Sequence, residues 1–137
     1  MVVATNPRSK LGARGEQLAA EHLERRGLEI VQRNYRTRWG ELDIIAADAR
    51  TLVFCEVKSR LSNADRGTTT AGGMSGEVRA LESVRQRKRA QVRRLAGHWL
   101  SQTTARPHAP NVRFDVIGVI LDRHGELVEL EHLEGAF

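Results

Sequence analysis

The sequence has a single cysteine, Cys55, so it cannot form a disulfide bond within the chain. It contains no apolar run that approaches the roughly 20 residues needed to span a membrane as a helix. The apolar start, residues 1–4, is too short for a secretory signal and is followed at once by polar and basic residues. These absences exclude a disulfide scaffold, and they predict a cytoplasmic protein that has no membrane partner.

Several widespread catalytic signatures are also missing. The five histidines show neither an HxxxH spacing nor the cysteine pairing that is typical of zinc sites. The chain has no glycine-rich phosphate loop, no dinucleotide fingerprint and no nucleophile elbow. Any catalytic chemistry therefore has to come from other groups, and carboxylates are the most promising of these.

The net charge of +5 is unevenly distributed along the chain. Residues 83–94 include six basic side chains and no acidic one, whereas residues 122–137 have five acidic side chains and one arginine. Such asymmetry predicts a basic surface that faces a polyanion. A solvated helix face without any partner explains the basic run equally well.

The length of 137 residues predicts a flexible tail at residues 1–9 and one domain at residues 10–137. Apolar periodicity and turn residues indicate an α/β fold in the order αβββαβ with an added strand. The predicted helices are 10–26 and 77–100, the strands are 28–35, 41–47, 51–58, 112–121 and 127–132, and a flexible loop covers 59–76.

Residues 40–58 carry the strongest local pattern. Two runs rich in apolar and β-branched residues, 41–47 and 51–58, are separated by a short polar break. This arrangement is typical of a β-hairpin. The hairpin is the element around which we expect a functional site to be organised.

The register of this hairpin decides which charges meet. A two-residue loop at 49–50 places Asp43 directly opposite Glu56, and Glu41 opposite Lys58. Side chains alternate along a strand, so these charged groups then share one face of a mostly apolar hairpin. A loop one residue longer or shorter would send Asp43 to the other face. A solvated face is the alternative, but the D-x12-E-x-K spacing favours a site.

Glu16 lies on the apolar stripe of the predicted first helix, together with Ala19, Ala20 and Leu23. Taken alone, it is best explained as a half-exposed acid that the helix dipole stabilises. The other interpretation is a carboxylate directed from the helix at the charged patch of the hairpin.

Two other segments each allow two interpretations. The arginines beside Trp39 could contact phosphates and a base, but a strand edge with Trp39 covering the core is somewhat favoured. The loop at 59–76 leaves the sheet directly after Lys58, so it is either a substrate-contacting lid or a tolerated insertion.

Several segments together resemble a known family. They are GARGEQLAAEHL, RNYRTRWGELDIIA, LVFCEVKSR, RFDVIGV, a Val84 to Lys88 helix and the terminal AF. This combination resembles the YraN-type family of uncharacterised bacterial proteins, which have a restriction-endonuclease-like fold. The wider superfamily is that of the PD-(D/E)xK nucleases and includes archaeal Holliday-junction resolvases. The resemblance implies an αβββαβ core with a central mixed sheet flanked by helices.

By this resemblance, Asp43 matches the first motif carboxylate, Glu56 and Lys58 match the E-x-K motif, and Glu16 matches the first-helix glutamate of the resolvase-like branch. These four residues are the predicted catalytic set. The sequence departs from the family pattern in having Leu42 where a proline often precedes the aspartate, and in the glycines of the loop after Lys58.

Carboxylate oxygens are hard ligands that suit Mg²⁺ or Mn²⁺. Asp43 and Glu56 are the predicted metal ligands, with the Val57 carbonyl as a third and Glu16 holding a second ion or a water. Lys58 would position the attacking water or offset developing charge. The expected function is a metal-dependent DNA endonuclease, with branched or structured DNA as one expected class of substrate.

The predicted partner is DNA, and a homodimer is possible. The predicted nucleic-acid contacts are Arg14, Arg36, Arg38, Arg60, Arg85, Lys88 and Arg89. One alternative is a module of the same fold that binds nucleic acid without turnover. A weaker one is a scaffold that binds an acidic protein through the basic helix.

Overall fold

The computed structural model describes residues 7–62 and 90–136. These parts of the chain form two helices and one five-stranded sheet, which confirms the α/β class and the predicted order. The elements are α1 (Pro7–Arg25), β1 (Glu29–Thr37), β2 (Gly40–Ala47), β3 (Thr51–Leu61), α2 (residues 90–102), β4 (Asn111–Leu121) and β5 (Leu127–Leu133).

The strands lie in the order β1-β2-β3-β4-β5. All neighbours are antiparallel except β3 and β4, which run parallel. The parallel pair needs a crossover connection, and α2 belongs to it. The sheet is therefore mixed, as predicted, and β3 lies at its centre.

Helix α1 packs on one face of the sheet and α2 on the other. The α1 side buries apolar residues of α1, β2, β3 and β4, among them Leu23 and Ile117. The α2 side buries Phe54 between the rings of Trp99 and Phe114, at centroid distances of 5.7 Å to each. The two helices thus cover both faces of the central strands, whereas the edge strand β1 has exposed residues along its length.

Helix α1 begins at Pro7, so residues 7–9 of the predicted tail are helical. Its end agrees with the prediction, because Gly27 has a φ of 88° and the Leu28 N–H donates to the Leu23 carbonyl at 3.0 Å. Among the described residues, neither helix combines the length and the apolar character that crossing a membrane would require.

Strand β3 is longer than predicted and includes residues 59–61, which were assigned to the flexible loop. The reason is its partner, because β4 pairs with β3 from Thr51–Asn111 as far as Leu61–Leu121. The rest of that loop, residues 63–76, and the predicted helix as far as residue 89 lie outside the described residues.

The predicted hairpin register is confirmed for four residue pairs, but the β2–β3 pairing of the described strands does not extend to the predicted pairs Asp43–Glu56 and Glu41–Lys58. Strands β2 and β3 pair from Ile44–Cys55 to Ala47–Leu52, which is the register of a two-residue loop at 49–50. The Asp48 carboxylate accepts hydrogen bonds from the N–H groups of Arg50 and Thr51 at 2.8 and 2.7 Å. An aspartate that bonds to the backbone in this way stabilises a tight turn, so a local side chain helps to set the register.

Candidate active site

A pocket of about 390 Å³ opens where the pairing of β2 with β3 ends, beyond Ile44 and Cys55. All four predicted catalytic residues line it. The complete lining is Glu16, Gly40, Glu41, Asp43, Glu56, Val57, Lys58, Gln91, Val92 and Leu95. Side chains from α1, β2, β3 and α2 thus converge at one end of the hairpin.

Asp43 is a buried acid of the pocket, and a hydrogen bond holds its carboxylate in place. Its residue is only 8% exposed, and its Oδ2 atom accepts a hydrogen bond from the Val57 N–H at 2.8 Å. The backbone pairing of β2 with β3 ends at Ile44–Cys55. The Val57 N–H of β3 therefore donates to the Asp43 side chain and not to a backbone carbonyl of β2. This bond holds the carboxylate of one strand against the backbone of the E-x-K strand.

Three carboxylates approach one another closely. One oxygen atom each of Glu16, Glu41 and Asp43 lies within 4.8 Å of the others. Helix α1 thus directs Glu16 at the hairpin. This placement agrees with the interpretation of Glu16 as a carboxylate that points from the helix at the charged patch. Glu56 also lines the pocket, but it is not one of these three groups.

Glu41 was not among the predicted catalytic residues, although the sequence contains a signal for it. It precedes Asp43 by two positions, so alternation along the strand places both on one face. The predicted register also put Glu41 opposite Lys58, and both residues do line the pocket.

Burial, together with the nearby carboxylates, raises the pKa of Asp43 to about 7. Burial is the largest cause, and the nearby charges of Glu56, Glu16 and Glu41 add to it, while the Val57 hydrogen bond acts in the opposite direction. The pKa of Glu16 is also raised, by burial and then by Glu41. A cation bound among these groups would relieve their mutual repulsion.

Two ion pairs involve acidic side chains of the pocket. Lys58 Nζ lies 3.6 Å from Glu56 Oε1, and Arg36 Nε lies 3.0 Å from Glu41 Oε2. Glu56 is buried. The ion pair between Arg36 and Glu41 is exposed, so it contributes little to stability. Lys58 is thus held beside a buried carboxylate at the mouth of the pocket, as the E-x-K motif predicted.

Asn34 is a second residue that the sequence analysis did not select. Its side chain lies near Glu16 and lowers the pKa of this carboxyl, which partly offsets the effect of burial. Its φ of 53° lies in the left-handed region, which asparagine tolerates better than most residues. The conformation and the contact depend on how β1 passes α1, so local sequence gave no signal for the role.

Helix α2 closes the other side of the pocket through Gln91. The side-chain amide of Gln91 donates a hydrogen bond to the Trp39 carbonyl. The turn between β1 and β2 needs glycine at position 40 for two reasons. The φ angle there is 139°, and a Cβ atom would overlap the Gln91 side chain. The turn between β1 and β2 is thereby fixed against α2 beside the acidic cluster.

Three of the arginines predicted to contact nucleic acid lie near the pocket. Arg36 pairs with Glu41, and Arg38 stacks over the Trp39 ring at 4.6 Å from its centroid. Trp39 itself packs against the α2-side core, as the favoured interpretation held. Arg60 follows Lys58 by two positions on β3, so it is on the same face.

The remaining predicted contacts are placed differently. Arg14 does not line this pocket, and its Nε donates to the Gly125 carbonyl at 3.2 Å, beside the turn between β4 and β5. Three predicted contacts, Arg85, Lys88 and Arg89, lie outside the described residues.

The model of the uncharacterised protein family UPF0102 matches residues 15–119, a range that includes all four predicted catalytic residues. The UPF0102 protein of Parafrankia sp. (strain EAN1pec) is 47% identical over 129 residues, covering 93% of this chain and 96% of the relative. The Frankia alni protein is 43% identical, with coverage of 98% and 100%. The Mycobacterium tuberculosis protein is 46% identical, with coverage of 96% and 94%. The names of these relatives assign no activity.

Proposed function

The chain belongs to the uncharacterised protein family UPF0102, and we propose that it binds DNA and hydrolyses phosphodiester bonds as a metal-dependent endonuclease. The proposal includes the finer assignment of its α/β fold to the restriction-endonuclease-like, PD-(D/E)xK class, similar to archaeal Holliday-junction resolvases. The observation that carries it is the convergence of Glu16, Glu41 and Asp43 beside the Glu56–Lys58 pair.

The donor set fits a hard divalent cation. All the side-chain donors are carboxylate oxygens, which Mg²⁺ and Mn²⁺ prefer over nitrogen or sulfur. One carboxylate oxygen each of Glu16, Glu41 and Asp43 lies within 4.8 Å of the others, so these side chains would have to move closer together to hold one ion. Asp43 would hold the ion together with Glu16, Glu41 and Glu56, which line the same pocket. When bound, the metal supplies positive charge that offsets the charge developing on a phosphate.

The protein groups have distinct tasks in this proposal. The Val57 N–H orients Asp43, and Glu56 holds the Lys58 ammonium at the mouth of the pocket. Lys58 can then donate a hydrogen bond to a phosphate oxygen or position the attacking water. Arg38, which its stacking on Trp39 holds in place, and Arg60 supply phosphate contacts on the approach to the pocket.

The test is cleavage of end-labelled linear, flapped and four-way DNA with Mg²⁺ or Mn²⁺, and with EDTA instead. We expect metal-dependent products, and a loss of about 100-fold or more in rate for Asp43→Asn and Lys58→Ala. Glu16→Gln should also reduce the rate. The matched control is Glu24→Gln, which changes an exposed glutamate on the same helix and should have no effect.

Two results would contradict the nuclease assignment. One is the absence of product from the wild-type protein on every substrate, and the other is cleavage that persists in Asp43→Asn. Salt-sensitive DNA binding without product would instead favour the alternative, a non-catalytic module of the same fold.

A further inference from the structure

A chain of three polar side chains joins the end of α1 to β5. His22 Nε2 on α1 lies 3.1 Å from His132 Nδ1 on β5, and the two rings meet at an interplanar angle of 79°. His132 Nε2 lies 2.7 Å from Asp115 Oδ2 on β4. None of the three residues lines the acidic pocket. The histidines are 110 positions apart in the sequence, so only the tertiary structure brings them together.

Asp115 fixes the tautomer of His132. The Asp115 carboxylate is fully buried, and it also accepts hydrogen bonds from Arg113 Nε and Nη2 at 2.8 and 2.9 Å and from the Gly135 N–H at 3.0 Å. Burial acts to raise the pKa of Asp115, but these hydrogen bonds and the one from His132 lower it below its ordinary value. An ionised carboxylate can only accept, so the hydrogen between the two groups belongs to His132 Nε2. The Nδ1 atom of His132 therefore faces His22.

The contact between the two histidines has room for one hydrogen. When both rings are neutral, His22 Nε2–H donates to the lone pair of His132 Nδ1. One added proton leaves a hydrogen bond in place, because His22 can either donate or accept through Nε2. A second added proton puts a hydrogen on both facing atoms. The bond is then lost, and two imidazolium cations face each other.

The charges around His22 disfavour this second proton. Arg25 and Arg26 lie at the end of α1, and Glu134, which follows β5, already pairs with Arg26 at 3.3 Å. Burial lowers the pKa of His22, and the charges of His132, Arg26 and Arg25 lower it further. The dipole at the end of α1 favours a cation, but it cannot restore a hydrogen bond between two donors.

We propose that His22 and His132 form an acid-sensitive latch between α1 and β5, which opens when the pair takes up its second proton. Opening separates the end of α1 from β5, because the two cations repel each other and share no hydrogen. The latch acts on the helix that also carries Glu16, about 9 Å before His22 along the axis. The inference goes beyond the proposed nuclease function and does not depend on it.

The test compares the wild type with His22→Gln in urea denaturation at pH 7.5, 6.5, 5.5 and 4.5 in EDTA. Glutamine has a side-chain amide that can either donate to His132 or accept from it, so the variant keeps the contact in acid. The contribution of Asp43 is the same in both proteins and cancels in the comparison.

Proton binding gives the sign of the expected effect. Both histidines of the unfolded wild type take up a proton near about pH 6.5, whereas the native pair takes up only one. In the variant, the folded and the unfolded chain each take up one proton at His132. The unfolding constant of the wild type, divided by that of His22→Gln, should therefore rise by up to about tenfold per pH unit below pH 6.5. Stability that the latch provides at neutral pH is thus lost in acid.

Two measurements on the wild type need no variant. In NMR spectra, the ring hydrogens of His22 should titrate at a lower pH in the folded protein than in the urea-unfolded chain. The amide protection factors of residues 23–28 should fall between pH 7.5 and 5.0, and those of β3 should not. The matched control is His108→Gln, which changes an exposed histidine in the loop before β4. It should follow the wild type at every pH.

The latch is refuted if the ratio of unfolding constants does not depend on pH, or if His22 titrates at the same pH in the folded and unfolded chains. It is also refuted if acid lowers the protection of residues 23–28 and of β3 equally, because the release would then not be local. DNA cleavage enters none of these measurements. The nuclease proposal can therefore fail while the latch holds, and the reverse.

Discussion

Replacing Asp43 with asparagine should stabilise the metal-free protein at pH 8, although it removes the proposed activity. In the folded chain the pKa of Asp43 is raised to about 7, against an ordinary value of 3.8. The main causes are its burial and then the charge of Glu56. Asparagine has a similar shape and can still accept the hydrogen bond from the Val57 N–H.

The number of protons bound by the native and the unfolded chain decides whether the free energy of unfolding rises or falls with pH. Between pH 3.8 and about 7 the native carboxyl holds a proton that the unfolded chain has already released. The free energy of unfolding of the wild type therefore falls as pH rises through this window, and it levels off above pH 7. At 1.36 kcal/mol per pKa unit, the loss is about 4 kcal/mol. The Asp43→Asn variant lacks this loss, so its advantage should grow from near zero at pH 4 to about 4 kcal/mol at pH 8.

The assay is urea denaturation at pH 4, 6 and 8 in EDTA, followed by tryptophan fluorescence. Adding Mg²⁺ at pH 8 should stabilise the wild type by about 2.7 kcal/mol at 100 times the dissociation constant, and the variant by much less. The interpretation is refuted if the variant is less stable than the wild type at pH 8 in EDTA, or if the difference does not depend on pH.

Asp115→Asn is the matched control, because it makes the same substitution at another buried aspartate. There we expect the substitution to lower the free energy of unfolding, whereas Asp43→Asn should raise it. Burial alone would raise the pKa of Asp115, but hydrogen bonds from His132, Arg113 and the Gly135 N–H lower it below its ordinary value. These bonds are 2.7 to 3.0 Å long. The native carboxylate therefore contributes stability above about pH 4 that is lost in acid. The variant should lose about 3–5 kcal/mol at pH 8, and the loss should shrink as pH falls.

Three further predictions concern the supports of the site. Gly15→Ala should cost about 1–3 kcal/mol in urea denaturation, because a Cβ atom there would overlap the Ser59 side chain, and adding Ser59→Gly should restore most of the loss. Glu41→Gln should weaken Mg²⁺ binding about tenfold in calorimetry, and unchanged affinity would exclude Glu41 as a ligand. Trp99→Phe should cost about 0.5–1.5 kcal/mol, because it removes the 2.9 Å hydrogen bond from the buried indole N–H to the exposed Gln32 side chain; a Gln32→Leu background should reduce that cost.

Local patterns predicted the hairpin well. Alternation of apolar residues defined β2 and β3, and the two-residue loop defined their register, so Asp43, Glu56 and Lys58 could be expected in one place. The end of α1 was predictable for a similar reason, because Gly27 is suited to the left-handed conformation that closes a helix.

Element lengths that depend on distant partners were less predictable. The extension of β3 to Leu61 requires pairing with β4, which lies about 60 residues further along the chain. A window of sequence around residues 59–61 shows only polar and basic residues mixed with one leucine, and it does not contain that information.

The sequence by itself determined the register of the hairpin next to its turn, from Ile44–Cys55 to Ala47–Leu52, because a two-residue period and a tight turn are local properties. Tertiary structure decided which charged groups meet beyond these pairs. Helix α1 approaches β3 where Gly15 meets Ser59, and this close contact brings Glu16 to Glu41 and Asp43. No local period specifies how a helix crosses a sheet, since that depends on packing between elements that are far apart in sequence. The raised pKa of Asp43 is a consequence of this packing, because it depends on burial and on the carboxylates brought near it.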